Sequence, residues 1–195
     1  MIITAYKNKV LGSMIGGAIG DALGYPVEFM SYSQIIHKYG PSGITRYHLN
    51  ANGVAEISDD TQMSLYTANG ILCYQSCNAI GLPAKKTETI CEAYIAWFQT
   101  QTEHYSHNQK HRFWICNTKE LYARRAPGLT CMSALRSLQQ DQSVVNDSKG
   151  CGGIMRVAPI ALHACNPTDT YYSLSDSLSY AKEAGDIAAL THKNP

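Results

Sequence analysis

The sequence has no proline-rich linker, no low-complexity stretch, no block of like charge and no internal repeat. Nothing therefore divides its 195 residues, and one domain, 1–195, is expected. An excess of either charge is also lacking. Lys and Arg number 16 against 15 Asp and Glu, a formal net charge of +1, so no global field recruits nucleic acid or an anionic membrane. The densest basic pairs, Lys85-Lys86 and Arg124-Arg125, stand isolated. No Cys-x-x-Cys pair suggests a zinc knuckle or redox centre, and no Walker or dinucleotide fingerprint is present. Long apolar runs are missing too. The stretch Val10–Gly20 follows Lys7 and Lys9 as a signal peptide would, yet it is rich in glycine, closed by Asp21 and too short to span a bilayer.

Cysteine is present in quantity: Cys73, Cys77, Cys91, Cys116, Cys131, Cys151 and Cys165. The number is odd, and Cys73 and Cys77 are spaced to share one helix face beside Leu72 and Ile80. Buried, reduced thiols are the expectation, which favours a reducing compartment and a cytoplasmic location.

Helical periodicity dominates wherever a pattern is clear, and strand signals are few, so an all-α fold is expected. The first helix is predicted from about Lys7 to Leu23. Gly12, Gly16, Gly20 and Gly24 recur along it every four residues, which predicts close packing against that stripe. Pro26 ends it. Residues 31–57 read as irregular, with turn clusters at Gly40-Pro41-Ser42-Gly43 and Asn50-Ala51-Asn52-Gly53. A helix starts near Asp60, capped by Ser58 or Asp59, and carries Met63, Leu65, Tyr66, Ile71 and Leu72. Further helices are predicted over Thr87–Thr100, in the later part of Asn108–Arg125, over Thr130–Gln140, and over Thr168–Tyr180 and Tyr180–Thr191.

Ser58-Asp59-Asp60-Thr61 is the run with the most chemistry. Adjacent carboxylates repel, and a helix start relieves that only in part. A hard divalent cation such as Mg²⁺ would relieve it fully through carboxylate, hydroxyl and water oxygens. Read locally, the run serves equally as a helix cap or as half of a metal site. Glu28 falls in a short loop after the first helix, where it is either a solvated acid or one that reaches a site. Lys149-Gly150-Cys151-Gly152-Gly153 is either a flexible turn or a set of backbone N–H groups offered to a diphosphate. Arg156 suits a phosphate contact or a buried ion pair.

Four blocks in order carry a family likeness. They are Gly16-Gly17-Ala18-Ile19-Gly20-Asp21-Ala22-Leu23-Gly24 with Pro26 and Glu28; Ser58-Asp59-Asp60-Thr61-Gln62-Met63; Arg125-Ala126-Pro127-Gly128; and Lys149-Gly150-Cys151-Gly152-Gly153-Ile154-Met155-Arg156-Val157-Ala158-Pro159. Ala188-Ala189-Leu190-Thr191-His192 is a weaker fifth. Together they resemble the ADP-ribosylglycohydrolase family. The resemblance implies a single compact multi-helix domain around two magnesium ions, and a hydrolase acting on an ADP-ribosylated protein or an ADP-ribosyl small molecule. It places metal ligands at Ser58, Asp59 and Asp60, and catalytic carboxylates at Glu28, Asp59 and Asp60. Substrate contacts fall at Gly150, Cys151, Gly152 and Gly153, with the family's histidine at His192.

The family's second acidic run, which completes the binuclear site, does not occur before the sequence stops at Pro195. The resemblance thus covers the N-terminal two-thirds of the family pattern, with the second metal position incomplete. Thr168-Asp169-Thr170 precedes the Thr-His segment and reads as a helix cap rather than a substitute. Two further expectations follow. A non-catalytic ADP-ribose-binding module stands as the alternative function, and uncovered apolar surface would favour self-association.

Overall fold

The fold begins from a core of large apolar and aromatic side chains on two long helices. The structure, a computed structural model, describes residues 2–107, 110–165 and 173–194, with side chains from residue 4 onward. Its helices are α1 (Ile2–Gly24), α2 (Tyr32–Tyr39), α3 (Asp59–Ala79), α4 (Lys86–Thr102), α5 (Leu129–Gln139), α6 (Ala158–Ala164) and α7 (Leu174–Ala188). An isolated bridge between Leu49 and Ala55 is the nearest approach to a strand among the described residues. The fold is all-α. The beginning of the Asn108–Arg125 segment and the cap at Thr168-Asp169-Thr170 lie outside the described residues.

Helices α3 and α4 form the central pair. Met63, Tyr66 and Ile71 of α3 face Ile90, Tyr94, Trp97 and Phe98 of α4, all buried. Each large apolar side chain so buried contributes roughly 1.5–3 kcal/mol. Gly70 permits the close approach: a Cβ there would stand 2.9 Å from the Cα of Ile90. Most polar atoms inside this pair are matched, Asn69 Oδ1 and Gln101 Oε1 being the exceptions. Trp97 donates its indole N–H to Gln62 Oε1 at 3.0 Å, and the Thr67 and Tyr94 hydroxyls bond at 2.6 Å. Leu135 of α5, Ile160 of α6 and Ile187 of α7 close the core around them.

Several expectations are corrected. The glycine stripe of α1 faces open space, because a Cβ on Gly12, Gly16, Gly20 or Gly24 would meet nothing within 4 Å. The close packing it implied occurs instead at Gly70. Residues 31–57 are not wholly irregular, since α2 forms behind a capping box in which Ser31 and Gln34 bond reciprocally. The later part of Asn108–Arg125 is not an α-helix. It makes two short 3₁₀ turns, Trp114–Asn117 and Lys119–Tyr122, that tuck Ile115, Cys116 and Leu121 into the core. A single helix, α7, replaces the two expected near the end of the chain. Leu72 is about half exposed. All seven thiols are free, but only Cys116 and Cys131 are buried, while Cys151 and Cys165 are exposed.

No helix among the described residues is long and apolar enough to cross a membrane. Apolar surface is uncovered along α1, where Leu11, Ile15 and Ile19 stand about half exposed.

Candidate active site

The start of α3 is the polar end of the fold. Ser58 caps it, accepting the Asp60 N–H on Oγ at 3.1 Å. The capping reading is therefore correct for Ser58, and it leaves both carboxylates in the first turn, near the positive end of the helix dipole.

Asp59 is buried and held from two sides by the Arg125–Gly128 segment. Its backbone N–H donates to the Arg125 carbonyl at 2.9 Å, and its Oδ2 accepts the Gly128 N–H at 3.0 Å. The segment reaches this geometry with Ala126 in the left-handed region at φ 51°, unusual for a residue with a side chain. Arg125 does not neutralise the acids. It pairs with Glu56 at 2.5 Å.

Asp21, near the end of α1, joins the site through one oxygen. Its Oδ2 accepts the Ser58 N–H at 2.9 Å, the Thr61 N–H at 3.2 Å and the Thr61 hydroxyl at 2.5 Å. Sequence reasoning gave Asp21 no role; its place in the glycine-rich first block was the available signal. Glu28 follows the 3₁₀ turn Tyr25–Val27, which puts its carboxyl on the same cleft.

Four carboxyls thus converge, and three of them hold their protons more tightly than usual. Burial pushes Asp59 up to about 7; the Gly128 N–H opposes the rise, and Asp60 and Glu28 add to it. Asp60 is raised by burial and by Asp21. Glu28 is raised by burial, then by Asp60 and Asp21. No lysine or arginine pairs with these acids among the described residues. Mutual repulsion without a counter-charge is the electrostatic setting that a cation relieves. Among the described residues no three His, Cys, Asp or Glu side chains form a ready metal cluster. The donor set on offer is two carboxylates and the Ser58 hydroxyl, which fits a hard ion that keeps several waters.

These residues border a cleft of about 750 Å³ between α1, α3 and the start of α6, lined by Asp21, Glu28, Ser58, Asp60 and Thr61. Cys151 of the glycine-rich segment lines it too. That segment forms a 3₁₀ turn, Cys151–Gly153. Gly153 is buried against Ala188, leaving Gly150, Cys151 and Gly152 toward the surface. His192 lies over the turn. A Cβ on Gly152 would stand 2.8 Å from both the His192 ring and the Cys131 sulfur, so only glycine fits. Burial, then Arg156, holds the His192 imidazole below its ordinary pKa.

Arg156 does not make the buried ion pair that is one of its two expected roles. It is fully buried, and no carboxylate pairs with it among the described residues. Its guanidinium lies 4.3 Å from the Tyr94 ring centroid and donates to the carbonyls that end α7. Ring face and helix C-terminus both stabilise a cation.

Fold and site together define an all-helical protein with a carboxylate-bearing cleft at one end. The chain belongs to the ADP-ribosylglycohydrolase family, whose model matches residues 3–195. It is similar to the ADP-ribosyl-(dinitrogen reductase) glycohydrolase of Rhodospirillum rubrum, with 32% identity over 104 residues, 48% of this chain and 30% of that protein. The chain thus spans under a third of the length of the curated relative it matches. No solved structure matches it.

Proposed function

We propose that this chain carries the acidic wall of a magnesium-dependent hydrolase. The reaction is cleavage of the glycosidic bond between ADP-ribose and a modified protein side chain, or a related ADP-ribosyl compound. The convergence of Asp21, Glu28 and Asp60 on one cleft, with Asp59 buried directly behind them, carries the reading, supported by family membership and by the name of the bacterial relative.

Ser58, Asp59 and Asp60 are the residues that would hold magnesium. When bound, the ion polarises the glycosidic region and acidifies a coordinated water. Asp21 keeps the start of α3 in register with α1, so Asp60 faces the cleft while Asp59 sits behind it against Gly128. Glu28, raised and lining the same cleft, suits holding a proton that is given to the leaving group or taken from water. Backbone N–H groups at Gly150, Cys151 and Gly152 suit the diphosphate, with Gly153 seating the turn and His192 beside it. A cleft of this size suits a ligand of nucleotide dimensions. Free thiols at all seven cysteines agree with a reducing, cytoplasmic setting.

The test is release of free ADP-ribose from an ADP-ribosylated substrate with and without magnesium. Release should require the metal and be lost in Asp59→Ala and Asp60→Ala; normal turnover by either variant would refute the role. The absence of a ready three-residue metal cluster among the described residues favours a second reading, a binding module without catalysis. Calorimetry showing ADP-ribose binding with no release in the same preparation would select it.

A further inference from the structure

Arg156 has only protons to give. Its Nη2 donates to the Ile187 carbonyl at 3.3 Å, the Ala188 carbonyl at 3.4 Å and Thr191 Oγ1 at 2.7 Å. Thr191 Oγ1 is therefore an acceptor toward Arg156, and its own single proton must go elsewhere. His192 Nδ1 lies 2.9 Å away. The Cys131 thiol is also beside Thr191, but sulfur is a weak acceptor. The imidazole nitrogen takes the proton, which makes Nδ1 the acceptor and leaves the ring hydrogen of neutral histidine on Nε2.

Nε2 points at the glycine turn. It stands 3.5 Å from where a Cβ of Gly150 would be and 3.2 Å from that of Gly152. No hydrogen-bond partner meets it among the described residues. A buried cation two hydrogen bonds away also disfavours a second proton on the ring, in keeping with the lowered imidazole pKa.

We propose that Arg156 and Thr191 are positioning residues that lock His192 as its Nε2–H tautomer. The locked ring is a fixed donor for an acceptor oxygen of a ligand lying on the Gly150–Gly152 turn. The ligand half of this rests on the ADP-ribosyl reading; the tautomer half does not. The arrangement also gives the buried arginine a use that a mere core residue would not need. A hydrocarbon at position 156 would fill the space yet leave the Thr191 hydroxyl free to rotate and the imidazole free to exchange tautomers.

Long-range ¹H–¹⁵N spectra of the labelled chain test this, with His192 assigned by the resonances lost in His192→Gln. The wild-type ring should show a protonated Nε2 and a lone-pair Nδ1. Thr191→Val should shift both nitrogens toward the averaged values of an exchanging ring, and Thr191→Ser should restore the wild-type pattern. A protonated Nδ1 in the wild type, or a pattern unchanged in Thr191→Val, would overturn the proposal. Because the wild-type spectrum is decisive by itself, a Val variant that fails to fold does not shelter the idea. ADP-ribose with magnesium should then shift Nε2 while Nδ1 remains a lone-pair nitrogen. Bound ADP-ribose with an unmoved Nε2 overturns the donor role. No binding at all by calorimetry overturns the functional reading instead, and leaves the tautomer result standing.

Discussion

The hydroxyl of Thr61, in the first turn of α3, donates to Asp21 Oδ2 of α1 at 2.5 Å, and the same oxygen also accepts the Thr61 N–H at 3.2 Å. Asp21 is thus the fastener between α1 and the acidic turn, as well as one of the charges crowded there.

Removing that fastener has a defined cost. Asp21→Ala leaves the N–H groups of Ser58 and Thr61 without their acceptor, and should destabilise the fold by about 1–3 kcal/mol. Asp21→Asn keeps an acceptor oxygen and should cost less. Urea midpoints for the two variants give the comparison, and equal midpoints would contradict it.

Stability should depend on pH through Asp59. Its folded pKa of about 7 lies above the value of about 3.9 for an unfolded chain. The folded state therefore keeps a proton that the unfolded state has released between those values. The contribution is fully present below about pH 4 and is lost as pH rises through about 7, a change on the order of 1–3 kcal/mol. Urea midpoints at pH 5 and pH 8 in chelator should fall accordingly. Asp59→Asn should flatten the fall, and magnesium should raise the pH 8 midpoint if the acids hold it.

Two glycines should respond oppositely to alanine. Gly16 sits inside α1 with open space where a Cβ would go, so Gly16→Ala should stabilise by up to about 1 kcal/mol. At Gly70 the new Cβ would meet the Ile90 backbone at 2.9 Å, so Gly70→Ala should lower the melting temperature. Thermal melts of the pair decide this.

Ala126 holds a left-handed conformation that an L side chain adopts at a cost of roughly 1–2 kcal/mol. Ala126→Gly should recover part of that, less the greater entropy of its unfolded chain, while Ala126→Val should lose at least as much again. Denaturation midpoints ordered Gly, Ala, Val from high to low are expected. A misplaced Gly128 N–H in the Val variant should also lower activity.

Much of this was readable from the chain because the signals were local. Ser58 before an apolar 3.6-residue pattern gave α3 its start, and Ile90, Tyr94, Trp97 and Phe98 gave α4 its buried face. The capping box at Ser31 and Gln34 was equally local but lay among turn residues, and α2 was missed. Long-range facts were the ones that escaped. The glycine stripe predicts close packing only if a partner arrives, and none does among the described residues; nothing near Gly70 in sequence announces Ile90. A charged residue such as Arg156 suggests a charged partner, whereas its partners are a ring from α4, carbonyls at the end of α7 and a hydroxyl just beyond it. Asp21 belonged to a recognised block, yet its three donors sit about 40 positions further along the chain.

One feature of α1 bears on how the cleft opens. The Tyr6 hydroxyl donates to the Leu162 carbonyl at 2.6 Å near one end, and Asp21 is fastened to α3 near the other. The supports are fifteen residues apart, about 22 Å of helix. Between them α1 runs like a beam along the cleft, with Gly20 and Gly24 of its glycine stripe lining the opening. The width of that opening is consequently governed by two polar anchors rather than by interlocked side chains. A ligand that wedges beneath the beam strains a handful of hydrogen bonds and leaves the α3–α4 core undisturbed.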